Sequence, residues 1–192
     1  METYFIVKYR GPFGFIKPWT AVRDSETFSQ QFLTPSILEG IEKKLFPELL
    51  SQKGKILKIQ RHRLNYRGID VQQERTWSKG GFRSQKEKNV YKNNMGILNR
   101  GVLLEPNLYL AFYREEDAKN AFWQHICLCR NEDILFPDEI FELEQKDFDK
   151  IEGFELIFSD SQNGFKVGHN RFANAEEMYG ILKSFGNPVR NP

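Results

Sequence analysis

The side chains best suited to acid–base chemistry are the three histidines of the sequence. His62 lies between Arg61 and Arg63, and two neighbouring cations disfavour the protonated form that a general acid needs at neutral pH. His125 falls on the apolar stripe of a predicted helix and is interpreted as a core residue. His169 lies in a predicted loop with no carboxylate close to it in the sequence. Acid–base catalysis by these histidines is therefore not predicted.

The two cysteines, Cys127 and Cys129, lie two residues apart in a segment that we predict to be helical. Residues at that spacing do not face each other on a helix, so we expect neither a disulfide nor a metal site. The sequence also contains no HExxH, CxxC pair, Walker or GxSxG motif. We predict no catalytic residue, no metal and no cofactor. Metal-independent RNA cleavage needs only a base, an acid and a charge stabiliser, so an endoribonuclease stays open as an alternative.

Positive charge is concentrated in residues 53–100, which contain thirteen lysines and arginines and three carboxylates, for a net charge of +10. Residues 1–52 are neutral overall, and residues 101–192 carry a net charge of −8. The basic segment is interleaved with aromatic residues, namely Tyr66, Trp77, Phe82 and Tyr91. Cations that pair with phosphates beside rings that stack on bases are what single-stranded nucleic acid binding requires. The segment therefore favours RNA binding over a merely solvated face.

The length and composition are typical of one globular unit outside a membrane. The chain has 192 residues, of which 40% are hydrophobic and 14% aromatic, enough for a core without disulfides. No apolar run approaches the length of a membrane-spanning helix, and the first residues do not resemble a signal peptide. We expect a cytoplasmic protein.

Two helices can be placed by their start signals. Thr34 is a predicted N-cap and Pro35 occupies the first turn of a helix that runs to about Pro47. Near the end of the chain, Asn174 and Glu177 are spaced as a capping box for a terminal helix. The other predicted elements are strands at 3–10, 55–64, 102–104, 107–113 and 154–158, a helix at 115–129, and a turn-rich insertion at 65–99.

This order of elements predicts an α+β protein with a ferredoxin-like, RRM-related antiparallel sheet and two helices. We assign residues 1–64 and 100–160 to that domain. Residues 65–99 would form a long basic β-ribbon, or thumb, and residues 161–192 a helical C-terminal extension.

Three segments in the first 115 residues match the pattern of one known family. One is the strand that ends at residues 11–15, Gly-Pro-Phe-Gly-Phe, followed by Lys17-Pro18 and a loop with Arg23. A second and more specific match is residues 33–41, which are similar to a TPSxxxG(I/L) helix start. The third is Lys58-Ile59, which leads into the basic insertion and then into Arg100 and the strand at 103–112. Through these segments the chain resembles the "Cas five" family of CRISPR-associated proteins.

The resemblance implies a RAMP-superfamily fold with a thumb between the second and third strands, where the sequence alone places the basic insertion. It also implies a non-catalytic RNA-binding subunit of a type I CRISPR (Cascade) effector complex used in antiviral defence. Such a subunit caps and bends the 5′ handle of the guide RNA (crRNA) and docks on the backbone and large subunits. It meets target DNA only through the complex.

The resemblance also implies which residues contact the RNA. By position, Lys17, Arg23, Thr34 and Ser36 would lie at the handle. The arm would contribute Arg61, Arg63, Arg67, Arg75, Lys79, Arg83, Lys86, Lys88 and Lys92, with Trp77 or Phe82 as a wedge. Arg100, which follows the insertion, would also contact the RNA.

Two other functions stay open at this point. One subtype of the family cuts precursor guide RNA with a tyrosine near the end of the first helix and a Lys-His pair. Here that helix ends in Leu45-Phe46 and the chain contains no Lys-His pair. The second alternative is a general single-stranded RNA-binding module.

Overall fold

The computed structural model describes residues 3–20, 25–77 and 95–190, and the side chains of Trp77 and Met95 lie outside that description. The helices are α1 (Pro35–Leu45) and α2 (Glu115–Phe122), with short 3-10 turns at Pro47–Leu49 and Gln145–Lys150. The strands in chain order are β1 (Thr3–Arg10), β2 (Phe13–Gly14), β3 (Glu26–Phe28), β4 (Ile59–Asn65), β5 (Gly68–Trp77), β6 (Met95–Leu104), β7 (Asn107–Phe112), β8 (Ile126–Cys127), β9 (Ile134–Glu144), β10 (Gly153–Ser159), β11 (Phe165–Asn170) and β12 (Glu176–Phe185).

The main sheet has eight strands in the order β11-β12-β10-β4-β7-β1-β9-β8. Each neighbouring pair in it is antiparallel. Both helices pack on one face, because Leu38 and Ile41 of α1 and Ala118 of α2 share a core with Val7 of β1 and Leu110 of β7. The protein is thus an α+β fold, as predicted. None of the helices in the described ranges is long and apolar enough to cross a membrane.

The start of α1 agrees with the sequence prediction. Thr34 has extended backbone angles at the N-cap, and Pro35 occupies the first helical position, where its missing N–H costs nothing. The helix ends at Leu45, just before Pro47. Its buried Glu42 fixes the start of β4 by accepting hydrogen bonds from the backbone N–H groups of residues 57–59.

The second helix is shorter than its apolar stripe predicted. It ends at Phe122 rather than near residue 129, and Ile126 pairs with Leu135 in a short strand. Ile126 and Leu128 are buried whereas Cys127 and Cys129 are more exposed, which is the alternation of an extended chain. Pairing with β9 therefore makes this segment extended, despite the helical spacing of its apolar residues.

The predicted C-terminal helix is wrong. Residues 176–185 form β12, which pairs with β10 on one side and β11 on the other. Asn174 and Ala175 have φ of 46° and 59° and form the turn before β12, not a capping box. Helical spacing would have put Ile181 and Leu182 on a buried face, yet both are exposed. The C-terminal extension is a β-hairpin added to the sheet.

One long strand of the main sheet was not predicted from the sequence. The predicted strand at 154–158 exists as β10 and lies next to β4. β1 pairs with β7 on one side and on the other with β9, which is absent from the predicted elements. Pro137 and a bulge at Asp138 interrupt its alternation, and its outward carboxylates hide the apolar pattern.

The basic insertion begins and ends as a two-stranded ribbon. β5 pairs with β6 over ten residues, from Gly68 opposite Leu104 to Trp77 opposite Met95. β6 also carries β2 and β3 on its other side, which joins the ribbon to the loops after β1.

Candidate nucleic-acid interface

The base of the ribbon is attached to the body of the protein by two arginines. Arg130 donates a hydrogen bond to the amide oxygen of Gln72 at 3.1 Å and pairs with the buried Asp133 at 2.7 Å. Arg100 pairs with Glu74 at 3.3 Å, and both guanidinium groups lie over the ring of Phe15. Arg100, a predicted RNA contact, is therefore placed where it orients the ribbon, with its charge compensated by Glu74.

The two predicted RNA contacts at the base of the ribbon, Arg67 and Arg75, are exposed. Arg67 lies at the start of the ribbon and pairs with Glu105 at 2.8 Å. Arg75 is exposed on β5, and no carboxylate of the described residues pairs with it. Arg23, Lys79, Phe82, Arg83, Lys86, Lys88, Lys92 and the side chain of Trp77 lie outside the described residues.

Arg61 and Arg63 do not belong to the arm. Both lie on β4 in the main sheet, and the side chain of Arg63 is completely buried. Arg63 donates to the carbonyl of Ile151 at 2.8 Å and to Glu155 at 3.1 Å. Arg61 pairs with Glu155 at 2.5 Å and with Asp149 at 2.8 Å. The prediction that Arg63 contacts RNA is wrong, because its guanidinium has no exposed surface and is neutralised inside the protein.

The histidine between these arginines is buried as well. The ring of His62 stacks on that of Phe158, with 5.9 Å between centroids. Burial, more than the charges of Arg63 and Arg61, lowers the pKa of His62 to about 4. The imidazole is therefore neutral at pH 7 and has no path to a bound RNA.

The residues at the start of α1 border a cleft of about 410 Å³. Ser36, a predicted handle contact, lies on one wall with Gly40 and Lys44 of the same helix. The other side is formed by residues 126–129, Asn131 and Arg171. Thr34 is buried, and its hydroxyl lies 3.3 Å from that of Ser36. Thr34 therefore positions the rim of the cleft rather than contacting a ligand itself.

Two cations of this cleft pair with no carboxylate among the described residues. No ion pair of those residues involves Lys44 or Arg171, and both side chains are exposed. The guanidinium of Arg171 lies against the middle of α1, because residue 40 is glycine: a Cβ there would lie 2.9 Å from Nη2 of Arg171. Lys44 lies in the last turn of the same helix. Two cations without a counter-charge along one cleft suit the phosphate groups of an extended ligand.

Trp19 is an exposed aromatic residue beside the β11–β12 hairpin, which also carries Arg171. Its ring is 48% exposed and meets the ring of His169 edge-on at 6.0 Å between centroids. The ammonium of Lys166 lies 5.6 Å from the indole, and Lys17, a predicted handle contact, is exposed two residues earlier. An exposed ring among cations can stack on a nucleobase.

The surroundings of His169 and the cysteines differ from the sequence prediction. His169 lies on β11, with its Nε2 4.0 Å from Glu177, so it has a carboxylate neighbour that only the fold supplies. Cys127 and Cys129 are free thiols that both line the cleft, since their segment is extended rather than helical. In the described part of the chain, no three histidines, cysteines or carboxylates are grouped so as to hold a metal ion.

Sequence reasoning missed Arg171 and Lys166, because both lie in the acidic C-terminal half. The one signal for Arg171 was Gly40, a helix-breaking residue in mid-helix whose presence indicates a close approach.

Comparison with known proteins gives a structural match but no sequence match. No protein-family model matches the chain, and no curated protein does. One chain of a solved "CRISPR RNA-guided surveillance complex" aligns with a TM-score of 0.54 at 10% sequence identity. The alignment covers 96% of this chain and 91% of that chain. Over nearly its whole length, this protein therefore has the fold of a chain from such a complex.

Proposed function

We propose that this protein is a non-catalytic, cytoplasmic RNA-binding subunit of a type I CRISPR effector complex that holds the 5′ handle of the guide RNA. The observation that carries the proposal is the cleft at the start of α1. There the segment that resembles the "Cas five" family lies beside two cations that no carboxylate of the described residues neutralises. The full-length structural likeness to a chain of a surveillance complex supports the same function.

The order of the strands supports a finer proposal for the fold. β4, β7, β1 and β9 are neighbours in that order, and α1 and α2 follow β1 and β7 in the chain. Two parallel strands with an antiparallel strand between them, joined by a crossover helix, make a split βαβ unit. We assign these six elements to a ferredoxin-like, RAMP-type domain, with β5 and β6 as the base of the thumb.

The proposed binding mode joins the cleft to the Trp19 surface. Arg171 directly follows β11, and β11 carries Lys166 and His169 beside Trp19. One hairpin thus supplies cations to both places. Phosphates of the handle would bind Lys44 and Arg171, and a base would stack on Trp19. The ribbon would extend this path through Arg75.

The proposed partners are the guide RNA and the neighbouring backbone and large subunits, with target DNA met through the assembled complex. A test of RNA binding uses fluorescence anisotropy with an RNA that carries the repeat-derived handle and a uridine RNA of equal length. We expect tighter binding of the handle RNA, and a loss on the order of tenfold in the double variant Lys44→Ala/Arg171→Ala. Lys183→Ala, which removes an exposed cation of β12, is the matched control and should bind as the wild type. Equal affinity for both RNAs would favour a general RNA-binding module.

The non-catalytic part of the proposal is supported by the burial of His62 and has its own test. Precursor guide RNA incubated with the pure protein should stay intact, with or without divalent metal. The exposed histidines that the alternative endoribonuclease could use are His125 and His169, of which His169 lies beside Glu177. A discrete product at the handle boundary that disappears in His169→Ala would establish that alternative.

A further inference from the structure

Within the described residues, the outer edge of β9 is open over most of its length. On one side β9 pairs with β1 from Phe136 to Glu144. On the other side β8 pairs only with Ile134 and Leu135. Among the described residues no strand covers the remaining nine positions of this edge. Unpaired N–H and C=O groups along a strand are a template for a strand from another chain.

A groove of about 610 Å³ lies beside this edge, between α2 and β9. Its floor and walls are apolar and include Phe5, Phe122 and Ile140. Trp123, at the end of α2, is 85% exposed, and Ile140 is 40% exposed. A large ring left in water beside an apolar groove is typical of the place where an anchoring side chain packs in a protein interface.

The charge of this surface limits what can bind there. α2 and β9 together carry seven carboxylates, and six of these pair with five cations, namely Lys8, Lys58, Arg114, Lys119 and Lys146. Carboxylates therefore remain in excess on this surface. Glu115 and Glu142 border the groove, and no ion pair of the described residues involves Glu142. Nucleic acid would be repelled by this surface, and a second copy of the chain would bring one acidic edge against another. The complementary occupant is a basic segment of a different protein.

We propose that an extended basic segment of a partner protein adds to the outer edge of β9 as an extra strand. An apolar side chain of that segment fills the groove beside Trp123, and its lysines or arginines face Glu115 and Glu142. The bulge at Asp138 and the acidic edge discourage pairing between copies of this chain while leaving the edge available to a basic strand. The proposal rests on the proposed function only in that the partner would be a neighbouring subunit of the complex.

The test uses the full-length protein and a nine-residue peptide that alternates lysine with isoleucine. Calorimetric titration should show binding, with amide exchange slowed at residues 136–144. Trp123→Ala and Glu142→Lys should each weaken binding by about tenfold, which is about 1.4 kcal/mol. The matched controls Phe165→Ala and Glu176→Lys change an exposed ring and an exposed carboxylate near the opposite edge of the sheet, and they should bind the peptide as the wild type does.

Two peptide controls separate the contributions of charge and of backbone pairing. Glutamate in place of lysine, or N-methylation of alternate backbone nitrogens, should abolish binding. The proposal is overturned if the lysine peptide does not bind at millimolar concentration, if Trp123→Ala and Glu142→Lys bind it normally, or if protection appears away from β9. RNA affinity is measured on the same variants. Normal RNA binding without peptide binding contradicts the edge proposal alone, whereas peptide binding without RNA binding contradicts the proposed function alone.

Discussion

The arginines of β4 and the cations of the α1 cleft show two opposite uses of positive charge. Arg63 is buried and donates to Glu155 and to a backbone carbonyl, so its charge is neutralised within the fold. Lys44 and Arg171 are exposed at a cleft and pair with no carboxylate of the described residues. Binding capacity therefore depends on whether the protein already provides a counter-charge, and not on how many cations a segment contains.

The two regions should also differ in what their cations do for stability. A buried charge whose partner is removed is left without compensation, which is strongly destabilising. An exposed cation that pairs with no carboxylate contributes little to the free energy of unfolding. Stability and RNA affinity should therefore respond to different substitutions.

The largest expected effect is on the buried cluster. Arg63→Ala leaves the buried Glu155 with one cation fewer and should lower the free energy of unfolding by about 3–5 kcal/mol. Urea unfolding followed by circular dichroism measures this loss. Arg171→Ala, the matched change in the cleft, should stay within about 0.5 kcal/mol of the wild type. Equal losses of unfolding free energy in the two variants would contradict the claim that the β4 arginines stabilise the fold and the cleft cations do not.

The next largest effect is the pH dependence of stability that His62 on β4 causes. The pKa of His62 is about 4 in the folded protein and near its usual 6.5 in the unfolded chain. Between these values the unfolded chain binds the proton and the folded protein does not, so stability falls as the pH drops from about 6.5 to 4. The loss should approach about 3 kcal/mol, since one unit of pKa corresponds to about 1.4 kcal/mol.

The matched variant His62→Gln isolates this contribution from that of the carboxylates. Urea unfolding at several pH values should give a flatter curve for the variant than for the wild type over this range. Parallel curves would show that folding does not lower the pKa of His62.

A smaller effect is expected for Gly40→Ala, which should lower RNA affinity without lowering the stability of the protein. In Gly40→Ala, the new Cβ would displace the end of the flexible Arg171 side chain, while alanine favours the helix by up to about 1 kcal/mol. RNA affinity should fall by about fivefold, or about 1 kcal/mol, and the thermal midpoint should not fall. A variant that binds RNA normally would show that Arg171 need not lie against α1.

The sequence predicts a secondary-structure element correctly where its local signals agree with the tertiary packing. Thr34-Pro35 and the spacing of Leu38 and Ile41 predict α1 correctly, because those apolar residues do face the core. It failed at β12, where Met178, Ile181 and Leu182 keep helical spacing but two neighbouring strands supply hydrogen bonds to the segment. The local spacing of apolar residues carries no information about distant strands that pair with a segment.

The site was predictable in part for the same reason. Ser36 was found because it belongs to a contiguous motif at the helix start, and it does border the cleft. Arg171 comes from a distant hairpin and enters the cleft only through the fold. Arg63 was assigned to the RNA because Glu155, which neutralises it, is 92 residues away in the chain.

The most direct test of the central claim is the salt dependence of RNA affinity in Lys44→Ala/Arg171→Ala. The logarithm of affinity for single-stranded nucleic acid falls with the logarithm of salt concentration by about 0.7 per neutralised phosphate. If both cations bind phosphates, the slope of the double variant should be shallower than that of the wild type by about 1.4. A double variant that keeps the wild-type slope would contradict the claim that these uncompensated cations hold the RNA.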